Sequence, residues 1–129
     1  MNEDEVLAPH AHYLDGLQQR ELRYQRCHDC GGSIFYPRIL CHHCGSTRLE
    51  FARSTGLGTV YSTTAVTRRE EPSYSICLVD LDEGFRMMSS VVTIRAEDVR
   101  IGMRVIADIE DVEANGNASR RVVFRPVAQ

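Results

Sequence analysis

The sequence predicts a mostly β protein made of a short N-terminal helix, a metal-stapled ribbon and a five-stranded barrel. Three observations carry this prediction. Two cysteine pairs, Cys27/Cys30 and Cys41/Cys44, stand ten residues apart. Beyond Thr55 the chain turns rich in Val, Ile, Thr and Tyr, the residues that fit a pleated surface, in runs separated by turn residues. Helical spacing of apolar residues occurs in one early stretch, His10 to Gln19. A chain of 129 residues suits one ordinary domain, or a small domain with a metal-held module. The expected division is a helical segment at 1–20, a ribbon at 21–53 and a barrel domain at 54–129.

Met1 to Pro9 reads as an acidic lead-in. In the helix, Tyr13, Leu14 and Leu17 form one apolar stripe, and a helix this short needs a surface to dock on. Leu22 and Tyr24 alternate with polar residues in a short strand that runs into Cys27. Gly31-Gly32 marks a turn, Ile34-Phe35-Tyr36 a second strand, and Leu49-Glu50-Phe51 a third.

The barrel strands follow in order. Leu57 to Arg69 is the first, and Glu70-Glu71-Pro72-Ser73 reads as a loop. Tyr74 to Leu81 is apolar on both faces, with Ile76 and Leu78 on one and Cys77, Val79 and Leu81 on the other. Asp82-Glu83-Gly84 is a hairpin turn, because glycine supplies positive φ without steric cost. Phe85 to Ile94 returns as a strand, and Ala96 to Gly102 is a polar helical turn or loop. Met103 to Val112 alternates, with Val105, Ala107 and Ile109 inward and Asp108 and Glu110 outward. Asn115-Gly116-Asn117 is a turn, and Arg121 to Val127 the last strand. Five strands with a short helical connection after the third fit an OB-fold barrel, with an SH3-like barrel or an open meander as alternatives.

The cysteine pattern carries the most chemistry. A Cys-x-x-Cys pair makes a knuckle that aims two thiolates at one point, and two knuckles on a ribbon complete a tetrahedron. Glycine follows each second cysteine, Gly31 and Gly45, where a left-handed turn position aims backbone N–H groups at sulfur. The expected site is one structural zinc ion held by Cys27, Cys30, Cys41 and Cys44, closed and therefore not catalytic. Iron is the competing metal, since rubredoxins use the same knuckles with pairs further apart. His28, His42 and His43 read as exposed knuckle residues, because four sulfurs already fill the tetrahedron. Cys77, inside an apolar strand, reads as core filler.

Composition bounds the partners. Apolar residues make up 43% and charged residues 26%, as in globular proteins. No apolar run approaches the ~18 residues of a membrane span. The start MNEDEVLAPH lacks the apolar core of a secretory signal, so a cytoplasmic setting is expected, where paired cysteines imply metal before disulfide. Net charge is −3, and four thiolates on one divalent ion make it more negative still. A protein that neutralises many phosphates usually has the opposite sign. Every basic residue other than histidine is arginine. There is no Gly-x-Ser-x-Gly, no phosphate-binding loop and no evident Ser–His–acid set, so catalysis by this chain alone is not expected.

The chain also resembles a known family. Gly16-Leu17-Gln18-Gln19-Arg20-Glu21-Leu22, Gln25-Arg26-Cys27-His28-Asp29-Cys30-Gly31, Phe35-Tyr36-Pro37-Arg38 and Cys41-His42-His43-Cys44-Gly45 come first. Gly56-Leu57-Gly58-Thr59-Val60-Tyr61-Ser62, Val79-Asp80-Leu81-Asp82-Glu83-Gly84 and Ile101-Gly102-Met103-Arg104-Val105 follow. In this order they resemble short OB-fold proteins with an N-terminal rubredoxin-like zinc ribbon, associated with thiolases and other acyl-CoA enzymes, over residues 10 to 127. The resemblance implies an accessory subunit that holds acyl-CoA or scaffolds a thiolase-fold enzyme, the partner supplying the catalytic residues.

A CoA site needs a groove for the pantetheine arm and cations for the phosphates. Arg38 beside the ribbon, and Arg68 and Arg69 at the end of the first barrel strand, are the candidates. Tyr13 and Phe35 are candidates for the protein contact. The alternative is a module for single-stranded nucleic acid, which needs a basic groove with aromatic platforms. Tyr74, Phe85 and Arg86 offer little of that, and Asp80, Asp82 and Glu83 crowd the same hairpin.

Overall fold

A computed structural model describes residues 9–114 and 116–127. The residues read as an acidic lead-in lie outside this range except Pro9, as does Asn115 of the last turn. Helix α1 (Pro9–Gln18) leads into a ribbon of β1 (Arg23–Cys27), β2 (Ser33–Ile34) and β3 (Leu49–Arg53). The barrel follows as β4 (Leu57–Arg68), β5 (Glu71–Leu81), β6 (Arg86–Ser89), a 3₁₀ turn (Ala96–Asp98), β7 (Arg104–Ala114) and β8 (Asn117–Pro126). The fold is therefore the expected one: mostly β, with one short helix, a zinc-ribbon module and a five-stranded OB barrel.

The helix ends as helices do when a left-handed residue reverses the chain. Arg20 takes φ 63°, the Glu21 N–H reaches the Gly16 carbonyl and the Arg20 N–H reaches Leu17. Arg20 also donates to the Ile109 carbonyl of β7 at 2.7 Å. The helix thus docks on its own molecule, burying Tyr13 and Leu17 and leaving Leu14 outside.

The ribbon sheet has the order β2-β1-β3 and the barrel sheet β6-β5-β4-β7-β8, with all named strand pairs antiparallel. Closure comes from a parallel bridge between Val91 and Phe124, flanked by Val92 N–H to Phe124 O and Phe124 N–H to Ser90 O. One continuous core joins Tyr13 and Leu17 of the helix and Leu22 and Tyr24 of the ribbon to Val60, Val79, Val105 and Phe124 of the barrel.

Three local readings are corrected. Glu71, Pro72 and Ser73 belong to β5, not to a loop. Two of them, Pro72 and Ser73, face Thr67 alone where the register shifts between Val66 and Arg68, so the missing proline N–H breaks no regular ladder. The strand expected from Phe85 to Ile94 is regular only over Arg86–Ser89, because Ser90 to Val92 leave β5 to meet β8. The second ribbon strand stops at Ile34.

Candidate metal centre

The two knuckles are built alike. Gly31 N–H bonds the Cys27 carbonyl at 2.9 Å and Gly45 N–H bonds the Cys41 carbonyl at 2.8 Å. Both glycines have positive φ, 74° and 80°, and a Cβ on either would meet no atom within 4 Å. Backbone conformation, not space, is what requires glycine here. The turns aim amides at sulfur: Gly32 N–H at Cys30 Sγ and His43 N–H at Cys41 Sγ.

All four Sγ atoms lie within 4.8 Å of one another, with Cys27–Cys44 at 3.6 Å and Cys30–Cys41 at 3.7 Å. Zinc–sulfur bonds of about 2.3 Å in a tetrahedron put sulfurs about 3.8 Å apart, so the four cysteines fit one metal ion. Cys27 and Cys41 are buried with Ile34 and Leu49, while Cys30 and Cys44 face outward.

Without a cation the thiols compete. The Cys30 N–H, followed by the Asp29 N–H and the neighbouring sulfurs, holds Cys27 at about 6 against the cost of burial. The Ser46 N–H pulls Cys44 down, but the Cys27 sulfur, burial and the other two sulfurs push it up to about 12. The Cys44 proton must therefore leave when metal enters, and uptake should tighten as pH rises. Competition against a chromogenic chelator at pH 6 and pH 8 checks this, and the protein should retain more metal at the higher pH.

The histidines stay outside the cluster. His28 Nε2 lies 3.3 Å from Glu50, and His43 Nε2 lies 3.3 Å from the Ser33 carbonyl with its ring against His42. Cys77 is buried in the barrel, its thiol 3.3 Å from Thr63 Oγ1. Cys77→Ala should leave the metal content unchanged and cost about 1 kcal/mol, read by elemental analysis and denaturant unfolding.

The three candidate arginines do not form one group. Arg68 and Arg69 are neighbours at the tip of the β4–β5 hairpin, and the Arg68 guanidinium lies 5.7 Å over the Tyr74 ring. Tyr74 in turn borders a cleft of about 510 Å³ lined also by Ser90, Val92, Ile94 and Arg121. Arg38 is exposed on the ribbon, its backbone clamped by Gln25, and shares no hydrogen bond or ion pair with the other two. Arg121 had no local signal, since it reaches the cleft only through the β7–β8 pairing and the barrel closure.

The expected protein-contact residues are also rearranged. Tyr13 is buried, and Phe35 is half-buried and stacks on Phe85. The exposed apolar residues include Leu14 and Tyr36 beside them, Ile39 and Leu40 on the ribbon, and a larger set on the outer face of β4, β5 and β6. That face carries Tyr61, Tyr74, Ile76 and Met88, exposed by 52%, 39%, 40% and 59%. Leu78 pairs with Met88 across the strands between them. The charges nearby satisfy one another: Arg86 bonds Asp80 through two nitrogens and lies 3.6 Å over Tyr61, and Arg104 bonds Asp82 the same way.

Comparison with known proteins agrees with this architecture. The profile of the ChsH2 rubredoxin-like zinc ribbon domain matches residues 14–50, and that of the ChsH2 C-terminal OB-fold domain matches residues 52–110. A DUF35 domain-containing scaffold protein of Methanocaldococcus jannaschii is 32% identical over 98 residues, covering 71% of this chain and 70% of the relative. A probable enoyl-CoA hydratase alpha subunit of Thermomonospora curvata is 33% identical over 102 residues, or 76% of this chain. The chain spans about a third of that subunit's length, 32%. The solved Ltp2-ChsH2(DUF35) aldolase superposes with a TM-score of 0.75 at 32% identity, covering 98% of this chain and 96% of that one. A ribbon with four clustered cysteines, joined through one core to an OB barrel and matched by the two family profiles over residues 14–50 and 52–110, makes this chain a member of the ChsH2-like DUF35 family.

Proposed function

We infer that this protein is a non-catalytic accessory subunit that scaffolds a thiolase-fold enzyme and holds acyl-CoA for it, in acyl-CoA or lipid/steroid metabolism. One structural zinc ion on Cys27, Cys30, Cys41 and Cys44 keeps its ribbon folded, and it works in the cytoplasm. The observation that carries this reading is the outer face of β4, β5 and β6. Four large apolar side chains lie open there, among charges already paired within the chain. Apolar surface whose central charges, Arg86 with Asp80 and Arg104 with Asp82, are paired suits a protein partner. Relatives described as scaffold proteins, and a structure described as an Ltp2-ChsH2(DUF35) aldolase, support an enzyme as that partner.

The ligand half rests on the hairpin tip. Arg68 and Arg69 would meet CoA phosphates, and the cleft behind Tyr74, part hydroxyl and part apolar, suits the narrow pantetheine arm. The nucleic-acid alternative draws less support, because Arg86 and Arg104 on the strand face are tied to Asp80 and Asp82.

The double variant Ile76→Glu/Met88→Glu tests the contact. Its affinity for the partner enzyme should fall by about 100-fold, as for two buried anchors, with its own unfolding midpoint shifted by less than about 0.5 kcal/mol. Unchanged affinity would remove this face from the account. Calorimetry with acyl-CoA, with and without the partner, tests the ligand, and absence of heat in both would end that half of the reading.

A further inference from the structure

The turn between β5 and β6 belongs to the barrel, where Arg104 of β7 holds Asp82, but Glu83 and Phe85 take their contacts from the ribbon and the connection leaving it. Ser33 Oγ, three residues from Cys30, donates to the Glu83 carbonyl at 2.7 Å. The Glu83 carboxylate accepts from Ser54 Oγ at 2.8 Å, Thr55 N–H at 2.8 Å and Thr55 Oγ1 at 3.2 Å, all in the connection leaving the ribbon. Phe85 is stacked between Tyr24 of β1 at 4.9 Å and Phe35 at 5.1 Å. The turn's own backbone supplies little more than Leu81 N–H to Phe85 O and Gly84 N–H to Leu81 O, with Asp82 N–H to Leu57 O beside it.

The ribbon cannot hold these groups by itself. Its private apolar cluster is Ile34 and Leu49 with the two cysteines Cys27 and Cys41. β2 is two residues long, and the Cys27 N–H to Gly32 O bond that positions it starts from a metal-ligand residue. A module this small takes its order from the ion that fits its sulfurs. Closed knuckles therefore fix Ser33 on the turn and help to place Phe35, which also packs on Tyr13 of the helix.

The geometry points to a conformational coupling: metal in the ribbon orders the Asp82–Phe85 turn and, through it, the start of the edge strand β6. β6 is four residues long and pairs with β5 alone in the regular ladder; its far end is tied to β8 through Ser89 Oγ and the Ser90–Val92 closure, so it is the start of the strand that depends on the turn. The opposite sheet edge, β7 with β8, pairs over ten residue positions from Val105 to Ala114, and among the described residues its side-chain hydrogen bonds toward the N-terminal part run to Arg20 and Gln18 at the helix end. The coupling stands apart from the partner and ligand readings, since every contact in it lies within this chain.

Hydrogen exchange on the full chain, zinc-loaded and after removal of zinc by a chelator, tests the coupling. Amides of Leu81 to Met87 should exchange about tenfold faster or more in the metal-free chain, while those of Val105 to Val112 keep their protection. Unchanged exchange at the turn would overturn the coupling, and so would equal acceleration across β7, which marks global unfolding. Coupling is reciprocal in binding free energy, so Glu83→Ala should weaken the equilibrium affinity for zinc, read by competition with a chelator, by about three- to tenfold. An unaltered zinc affinity in that variant would likewise contradict it.

Discussion

Replacing Cys41 by serine should cost the protein its metal and unfold the ribbon. Cys41 is one of the two buried cysteines of the four-sulfur cluster and packs with Cys27, Ile34 and Leu49. Serine can neither complete a four-sulfur site nor fill that place as a polarisable, weakly hydrogen-bonding group does. Structural zinc contributes about 10–16 kcal/mol to the folding of small modules, as much as the whole stability of a typical domain, about 5–15 kcal/mol. Elemental analysis should find less than one equivalent of metal, and exchange protection should vanish from β1 to β3. A Cys41→Ser protein that kept a protected ribbon would mean that packing alone folds it.

The second large effect is expected at Phe124. Its side chain is fully buried, and its backbone forms the bridge to Val91 and the bonds to Ser90 and Val92 that close the barrel. Phe124→Ala removes a ring from a close-packed interior, at a cost of about 3–5 kcal/mol. Denaturant unfolding should show a lower midpoint at an unchanged slope, since the surface exposed on unfolding is nearly the same. Ile101→Ala, at a side chain 71% exposed, is the control and should stay within about 0.5 kcal/mol. Equal effects at the two positions would contradict the placement of the core.

Local chemistry made much of this molecule legible before its structure. Cys-x-x-Cys-Gly repeated at Cys27 and Cys41 is a short-range signal, and so are the alternation of Val105, Ala107 and Ile109 and the glycine of the Asp82–Gly84 turn. What stayed hidden depends on residues distant in sequence. Nothing near Val91 announces that it leaves β5 to meet Phe124. Nothing near Tyr13 says that it, and not Leu14, faces the core, because a three-residue stripe does not choose its docking side. The pairing of Arg86 with Asp80 follows from the strand register, which converts apparently free cations into neutral pairs. Glu83 reads as a solvated turn residue until the ribbon is folded against it. The same limit applies to the candidate arginines, whose spacing in sequence does not reveal that Arg68 sits beside a cleft and Arg38 does not join it.

The most direct test of the accessory-subunit account is affinity purification of the tagged protein from its own host, with co-purifying proteins identified by mass spectrometry. The account predicts a thiolase-fold enzyme in stoichiometric amount, retained in moderate salt and lost with Ile76→Glu/Met88→Glu. Recovery of the chain with nucleic acid or its processing machinery, and without such an enzyme, would contradict it.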